Sequence, residues 1–274
     1  MVRPILPHGL DLAGMDAAIA GLLGRHVTAM GIRAPLLWFY TPMALPWAAS
    51  IEPSVVVYDR MDELSAFRGA HPALRAREED LLARAGVVFT GGHSLYEATR
   101  MRHPNVHEFP SVVDLDHFAR AREPLREPPD QASLPRPRIG WFGVIDERTD
   151  LELLAGIADL RPDWSFVLVG PIVKIDPATV PARPNLHVLG MRGYDDLPGY
   201  IAGWDAAIMP FARNTSTRFI SPTKTPEYLA AGRPVVSTSI RDVVEPYERL
   251  GLGPHRRRAG RLRGGDRGCP RRRS

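Results

Sequence analysis

The chain has 274 residues, 44% of them hydrophobic and 24% charged, which is ordinary for one or two globular domains. No apolar run reaches the roughly 18–20 residues of a membrane span, the start lacks the apolar core of a signal peptide, and the single Cys269 excludes an internal disulfide or a cysteine-based zinc cluster. The formal charge of +4 conceals an imbalance: residues 251–274 hold nine Arg against one Asp, so the rest of the chain is net negative.

In chain order, Leu10–Met30 reads as a helix with Met15, Ala18, Ile19, Leu22 and Leu23 inward. A strand at 35–40 runs into the Pro-rich loop after Thr41. A second strand, Val55–Tyr58, is followed by Asp59 and Asp62 at its carboxyl end, where open α/β sheets bind ligands. Asp62 either faces a ligand or caps a short helix over Glu63–Phe67. A charged helix spans 72–85, with Ala73, Leu74, Leu81, Leu82 and Ala85 inward. The strand 86–90 leads through Gly91, Gly92 and His93 into a helix for which Ser94 and Glu97 have capping-box spacing. His93 is either a ligand contact or a surface-turn histidine. A short strand at 105–110 precedes Ser111–Phe118.

Residues 119–137 are rich in Arg, Glu and Pro without apolar period, the composition of a linker. A regular alternation then begins: strand 138–143, loop 144–150, helix 151–160, strand 165–171, strand 185–190, helix 194–202 and strand 205–210. Such alternation predicts a parallel doubly wound sheet with its loops gathered on one edge. The stretch 221–238 closes it as loop, short helix and covered strand. Thr225 is expected to cap the helix, Pro226 to take its first position and Gly232 to end it. Ser221, Thr223 and Lys224 before that helix make a candidate anion site, and Lys224 is one of two lysines in the chain, with Lys174.

The run Pro222-Thr-Lys-Thr-Pro-Glu-Tyr228, with Ala230-Ala-Gly-Arg-Pro-Val-Val236, resembles the donor-binding segment of GT-B glycosyltransferases, and the body resembles their bacterial cell-envelope members of the teichuronic-acid type. Glu227 matches the second Glu of the family's Glu–seven residues–Glu motif; the first falls on Phe219, so Lys224 or Ser221 is expected to supply its sugar contact. The resemblance implies that Glu227 holds the ribose of a nucleotide sugar and that Arg148 and Lys224 face its diphosphate. It implies donor contacts from Gly143, Gly170, Arg192 at the base edge, Asn214, Ser221 and Thr223. On the acceptor side it leaves Asp59, Asp62 and His93. The Ser111–Phe118 segment resembles the one that closes the family's first domain, without its Gly.

The resulting expectation is an α/β protein of GT-B type, two doubly wound parallel-sheet (Rossmann-like) domains facing a cleft with the first incomplete: a partial acceptor-side domain at 1–118, a linker at 119–137, a donor domain at 138–250 and an Arg-rich, disordered tail at 251–274. The expected activity is transfer of a sugar from a UDP- or GDP-linked donor to a saccharide or lipid-linked envelope acceptor, with no cofactor, no metal and no nucleic-acid partner. A cytoplasmic location, with contact to the inner membrane face left open, follows from the same reading. A nucleotide-sugar epimerase of this architecture and a non-catalytic fragment are the competitors. The abrupt start and the Arg/Gly/Pro-rich end are expected to mark truncation at both ends, the tail being either a shifted reading frame or a basic arm.

Overall fold

The computed structural model describes residues 3–250; the readings of the Arg-rich stretch 251–274 lie outside them. The first unit comprises helix α1 (Leu12–Ala29), strand β1 (Leu36–Phe39), a 3₁₀ segment (Pro42–Ala48), β2 (Val55–Arg60), α2 (Leu74–Arg84), β3 (Val87–Thr90), α3 (His93–Thr99) and β4 (Val106–Glu108). Its strands are parallel and lie in simple chain order, β1-β2-β3-β4. This is the expected parallel, helix-bearing Rossmann-like sheet, and among the described residues its strand order does not reverse. One face carries the core, where Phe39, Tyr58 and Val88 meet Leu81 and Leu82 of α2. The other face presents Leu36, Trp38 and Tyr40, all exposed.

Helix α1 forms where the pattern predicts it, with the Asp11 carboxylate accepting the Gly14 N–H at 2.8 Å as its cap. Its burial differs from the pattern. Met15 and Leu22 are exposed, and its buried residue is Asp16, which accepts from the Trp47 indole at 2.8 Å and pairs with Arg77. Ala18, Ile19 and Leu23 are partly buried as expected, so a polar anchor supplements a thin apolar stripe.

A buried charge network locks β2 to the helices. The enclosed Arg60 guanidinium donates to Glu78 of α2 (2.9 Å) and Thr99 of α3 (2.9 Å) and pairs with Glu63, while the Tyr58 hydroxyl donates to Glu78 at 2.9 Å.

The second unit comprises α4 (Leu115–Ala119), α5 (Pro129–Ala132), β5 (Arg138–Phe142), α6 (Leu151–Leu160), β6 (Ser165–Val169), β7 (Leu186–Gly190), α7 (Leu197–Ala202), β8 (Ala206–Met209), α8 (Lys224–Ala230), β9 (Val235–Ser237) and α9 (Arg241–Arg249). Its sheet is parallel with order β7-β6-β5-β8-β9, so the chain reverses direction at β5. This is the doubly wound arrangement, and both faces are covered. Phe142, Val167 and Met209 pack with α7 and α8, while Trp141, Phe166 and Leu168 pack with α6. Strands buried on both faces explain the continuous apolar runs at 139–142 and 166–169.

The stretch read as a linker is pinned to this unit. Gln131 is fully buried, bonding the Trp204 indole (2.8 Å) and the Tyr200 carbonyl (3.0 Å). Arg122 donates to the carbonyls of Ala230 (2.6 Å) and Leu229 (3.0 Å), satisfying the orphan end of α8. Gly232 follows at φ +71°, the left-handed stop that the sequence predicts.

Candidate functional site: the cleft between the two sheets

The site begins where β5 ends. Gly143 and Gly170 close β5 and β6, both at φ +152°, and a Cβ on Gly170 would fall inside the carbonyl of Gly143. Two loops can leave adjacent strand ends this closely only without side chains there. The backbone of the β5–α6 loop thereby becomes the floor of a cleft of about 390 Å³. From the second unit it is lined by Trp141, Gly143, Val144, Arg148, Phe211 and the loop Ile220–Lys224; from the first, by Met61, Asp62, Gly91 and Ser111. These first-unit residues follow β2, β3 and β4, so the carboxyl ends of both sheets face one space.

Arg148 is preset in that space. Asp146 takes its backbone N–H (2.9 Å), its Nε (3.0 Å) and its Nη2 (2.7 Å), while Phe67 of the first unit lies 5.6 Å from the guanidinium carbon. Hydrogen bonding to Asp146 pushes the guanidinium pKa further up, so the group is permanently charged. Asp62 faces it from the other unit. Burial raises the Asp62 carboxyl above its usual range, and Arg148 pulls partly against that rise. Asp62 does not cap a helix: the turn after it, Leu64–Ala66, has Glu63 at its cap position and no side-chain cap bond.

The helix over the donor loop starts earlier than its sequence signals. Thr223 holds the cap position without a side-chain cap bond, α8 opens at Lys224, and Pro226 takes its third position. Thr225, expected to cap, is inside the helix, its hydroxyl donating to Met209 Sδ at 3.4 Å. A proline at the third position still costs nothing, because that N–H has no helical acceptor. The Lys224 ammonium lies 3.0 Å from Glu227 Oε2, 3.1 Å from Thr223 Oγ1 and 4.6 Å above the Phe142 ring. Lys224 and Glu227 thus form one partly buried pair at the cleft wall.

The two units touch at Gly92. A Cβ there would collide with Ser221 and with Asp242 of α9. Asp242 Oδ1 accepts the Ser94 N–H at 2.9 Å, doing across the units what Ser94 itself was expected to do for α3. Glu97, the other half of the expected capping box, pairs with Arg100 instead.

Of the predicted residues, Gly143, Arg148, Ser221, Thr223, Lys224 and Asp62 line the cleft, and Glu227 stands behind Lys224. Gly170 shapes the floor from behind Gly143. The others are engaged elsewhere. Arg192 donates to Asp130 (2.6 Å) and to the Tyr200 hydroxyl (2.7 Å), away from the cleft lining. Asn214 folds its own loop, its Oδ1 accepting from Ser216 N (3.0 Å) and its Nδ2 donating to the Glu147 carbonyl (3.0 Å). Asp59 accepts the Trp38 indole N–H at 3.2 Å, and His93 contacts Glu108 at 2.9 Å. The sequence reading missed Asp146, which aims Arg148, and Ser111, whose hydroxyl donates to the Ser221 carbonyl at 3.5 Å across the units. The Asp-x-Arg spacing of 146–148 was a legible signal for the first; nothing local marks the second. Among the described residues, no group of three or more His, Cys, Asp or Glu is placed to hold a metal ion, and no helix is long and apolar enough to cross a membrane.

Residues 136–252 match the family described as Glycosyl transferases group 1. The chain is 26% identical over 204 residues to TuaH of Bacillus subtilis (strain 168), named a teichuronic acid biosynthesis glycosyltransferase; the match covers 71% of this chain and 48% of that one. Among solved structures it superposes on sucrose-phosphate synthase from Thermosynechococcus elongatus (TM-score 0.63, 16% identity, 86% of this chain and 63% of that one). It also superposes on HepE of Anabaena, solved with UDP and glucose (TM-score 0.61, 17% identity, 88% of this chain and 66% of that one). The chain thus spans about half the length of the curated relative that it matches and about two thirds of these solved chains.

Proposed function

We propose that this chain, a group 1-type glycosyltransferase of GT-B fold by its matched domain and its architecture, binds a nucleotide sugar in the cleft and transfers the sugar to a saccharide or lipid-linked envelope acceptor. The observation that carries this reading is the convergence of Arg148 and Lys224 on one cleft, opposite Asp62 of the other unit. Two fixed cations suit a diphosphate, which carries the negative charge released by the reaction. The acceptor oxygen bonds to the anomeric carbon, the carbon–oxygen bond to the diphosphate breaks with its electron pair staying on the phosphate, and the acceptor proton passes to the departing diphosphate. Arg148 and Lys224 stabilise the growing phosphate charge. Glu227, paired through one oxygen with Lys224, offers the other to the ribose hydroxyls. Asp62 offers a hydrogen-bond acceptor to the incoming hydroxyl. The likeness to the teichuronic acid relative supports an acceptor of the cell envelope.

The test is retention of UDP and GDP by the whole chain, followed by sugar release from labelled UDP- and GDP-sugars. Loss of a charge-assisted phosphate contact in Lys224→Ala should weaken nucleotide binding by roughly tenfold or more. Glu227→Ala should weaken nucleoside diphosphates while leaving inorganic pyrophosphate unaffected. Unchanged UDP and GDP retention in both folded variants refutes the proposal.

A further inference from the structure

We propose that the open, ring-bearing face of the first sheet is a track for a saccharide chain, so that the acceptor is an oligosaccharide of several units whose finished part lies outside the cleft; this rests on the glycosyltransferase reading of the cleft. Helices α2 and α3 bond Tyr58 and Arg60 and so cover one side of that sheet. Side chains alternate along a strand, so Asp59 points to the other side. There the strands bring a row of rings together. Trp38 of β1 stacks on Phe89 of β3, with centroids 5.5 Å apart and planes at 29°. Tyr40 lies 6.4 Å from Trp38 at one end, and Phe109 meets Phe89 edge-on at 5.1 Å at the other. Trp38, Tyr40 and Phe109 are 46%, 65% and 62% exposed. Parallel sheets ordinarily bury both faces, and an open apolar patch of this kind marks an interaction site.

The face runs into the cleft. Asp59, Phe89 and Phe109 each stand two residues before a cleft-lining residue, namely Met61, Gly91 and Ser111. Two residues of extended chain span about 7 Å, so the rings begin at the mouth of the cleft. An occupant of the face is therefore continuous with whatever enters the cleft from the side of the first unit. The face is also polar at its centre. Asp59 Oδ2 accepts the Trp38 indole N–H at 3.2 Å, which leaves the other oxygen for a further donor. An acyl chain, or the same face of a second copy, would take this carboxylate from water without supplying a donor, and that is costly. A sugar meets both demands. The C–H side of its ring packs on the electron-rich face of an aromatic ring, and the hydroxyls around its rim donate to the carboxylate. Trp38, already held by Phe89 and Asp59, loses little further freedom on binding.

The experiment measures binding of glucose, cellohexaose and maltohexaose to the full chain by calorimetry, with UDP and GDP as controls. Wild type should bind at least one hexasaccharide more tightly than glucose. Trp38→Ala should weaken that hexasaccharide by roughly tenfold, while Trp38→Phe, which keeps a ring, should retain most of the affinity. Nucleotide retention should be unchanged in both, because Arg148 and Lys224 belong to the other unit. Should Trp38→Ala fail to fold, Tyr40→Ala and Phe109→Ala carry the same test on rings that are mostly exposed. A chain that retains UDP or GDP but binds neither hexasaccharide more tightly than glucose overturns the track and leaves the cleft reading standing. Hexasaccharide affinity that is unchanged in all the folded ring variants does the same. A wild-type dimer that Trp38→Arg dissociates in sedimentation also overturns the proposal, since the face then holds a second copy. A chain that retains neither nucleotide overturns the cleft reading, and the acceptor role of the face with it, even where Trp38 still binds the hexasaccharide.

Discussion

At the residue scale, Gly170 and Gly156 make opposite predictions from the same substitution. Gly170→Ala puts a Cβ into the Gly143 carbonyl at a φ that side chains rarely adopt. Overpacking and backbone strain together should cost about 2–4 kcal/mol, read as a lower urea midpoint, with nucleotide retention falling because the cleft floor moves. Gly156 lies in the exposed interior of α6 and its Cβ would meet nothing within 4 Å. Gly156→Ala should therefore stabilise by about 0.5–1 kcal/mol in the same melt. Glu78 makes a prediction in pH. Burial alone would push its carboxyl up, but hydrogen bonds and charge from Arg60, with Tyr58 and Arg102, hold it below its ordinary 4.5. An acid held low in the folded state adds stability that is whole above about pH 4.5 and drains away as the pH falls. Glu78→Gln should flatten that acid limb of the stability curve. Glu78→Ala takes the main acid from the enclosed Arg60, leaving Glu63 as its remaining carboxylate partner, and should cost about 3 kcal/mol at neutral pH.

At the element scale, α8 is tied to the sheet by a buried polar contact rather than by its cap. The Tyr228 hydroxyl, fully buried, accepts the Phe142 N–H at 3.0 Å, just where β5 turns into the Gly143 loop. Burial raises this phenol strongly, so the hydroxyl is neutral at any working pH. Tyr228→Phe keeps the ring and leaves a buried N–H without an acceptor, which should cost about 1–3 kcal/mol in denaturant unfolding. Because α8 then rides less firmly on β5, Lys224 and Gly143 should lose their fixed spacing and UDP affinity should fall with stability. The element was legible before its boundaries were. The Thr225-Pro226 pair suggested a start two residues too late, since Thr, Ser and Pro all favour helix starts wherever they cluster. Which of them caps depends on where the 221–224 loop is pinned, and that is set by Ser111 and Gly92 of the other unit.

At the scale of the whole molecule, Gly92 is a point where the two units pack with no room for a Cβ. Its backbone is extended at φ −177°, so a side chain there costs nothing in local conformation; the collision is with Ser221 and Asp242. Gly92→Ala should push the units apart, enlarge the radius of gyration in X-ray scattering and lower sugar transfer more than nucleotide binding, whose cations sit in one unit. A variant that transfers normally with an unchanged radius of gyration would show that the contact at Gly92 does not set the cleft. The linker composition of 119–137 gave no hint of Gln131, Arg122 and Arg233 binding it to the second unit; the Arg233 guanidinium donates to the Ala121 carbonyl at 3.2 Å. Polar side chains that bond distant carbonyls leave no period in a sequence, so composition read as loose what tertiary bonds make fixed.

What the amino-acid order determined alone is the second sheet and its loops. Apolar runs of strand length, alternating with helical periods, dictate parallel strands covered on both faces, and that order carries Arg148, Ser221, Thr223 and Lys224 to one edge. These consequences are local, so they are readable locally. What only the tertiary structure decided is which polar residues are already spent: Arg192 on Asp130, Asn214 on its own turn, Asp242 on α3, Asp146 on Arg148. A charged or amide side chain looks equally available in any sequence, and its partner, often more than sixty residues away, is chosen by packing.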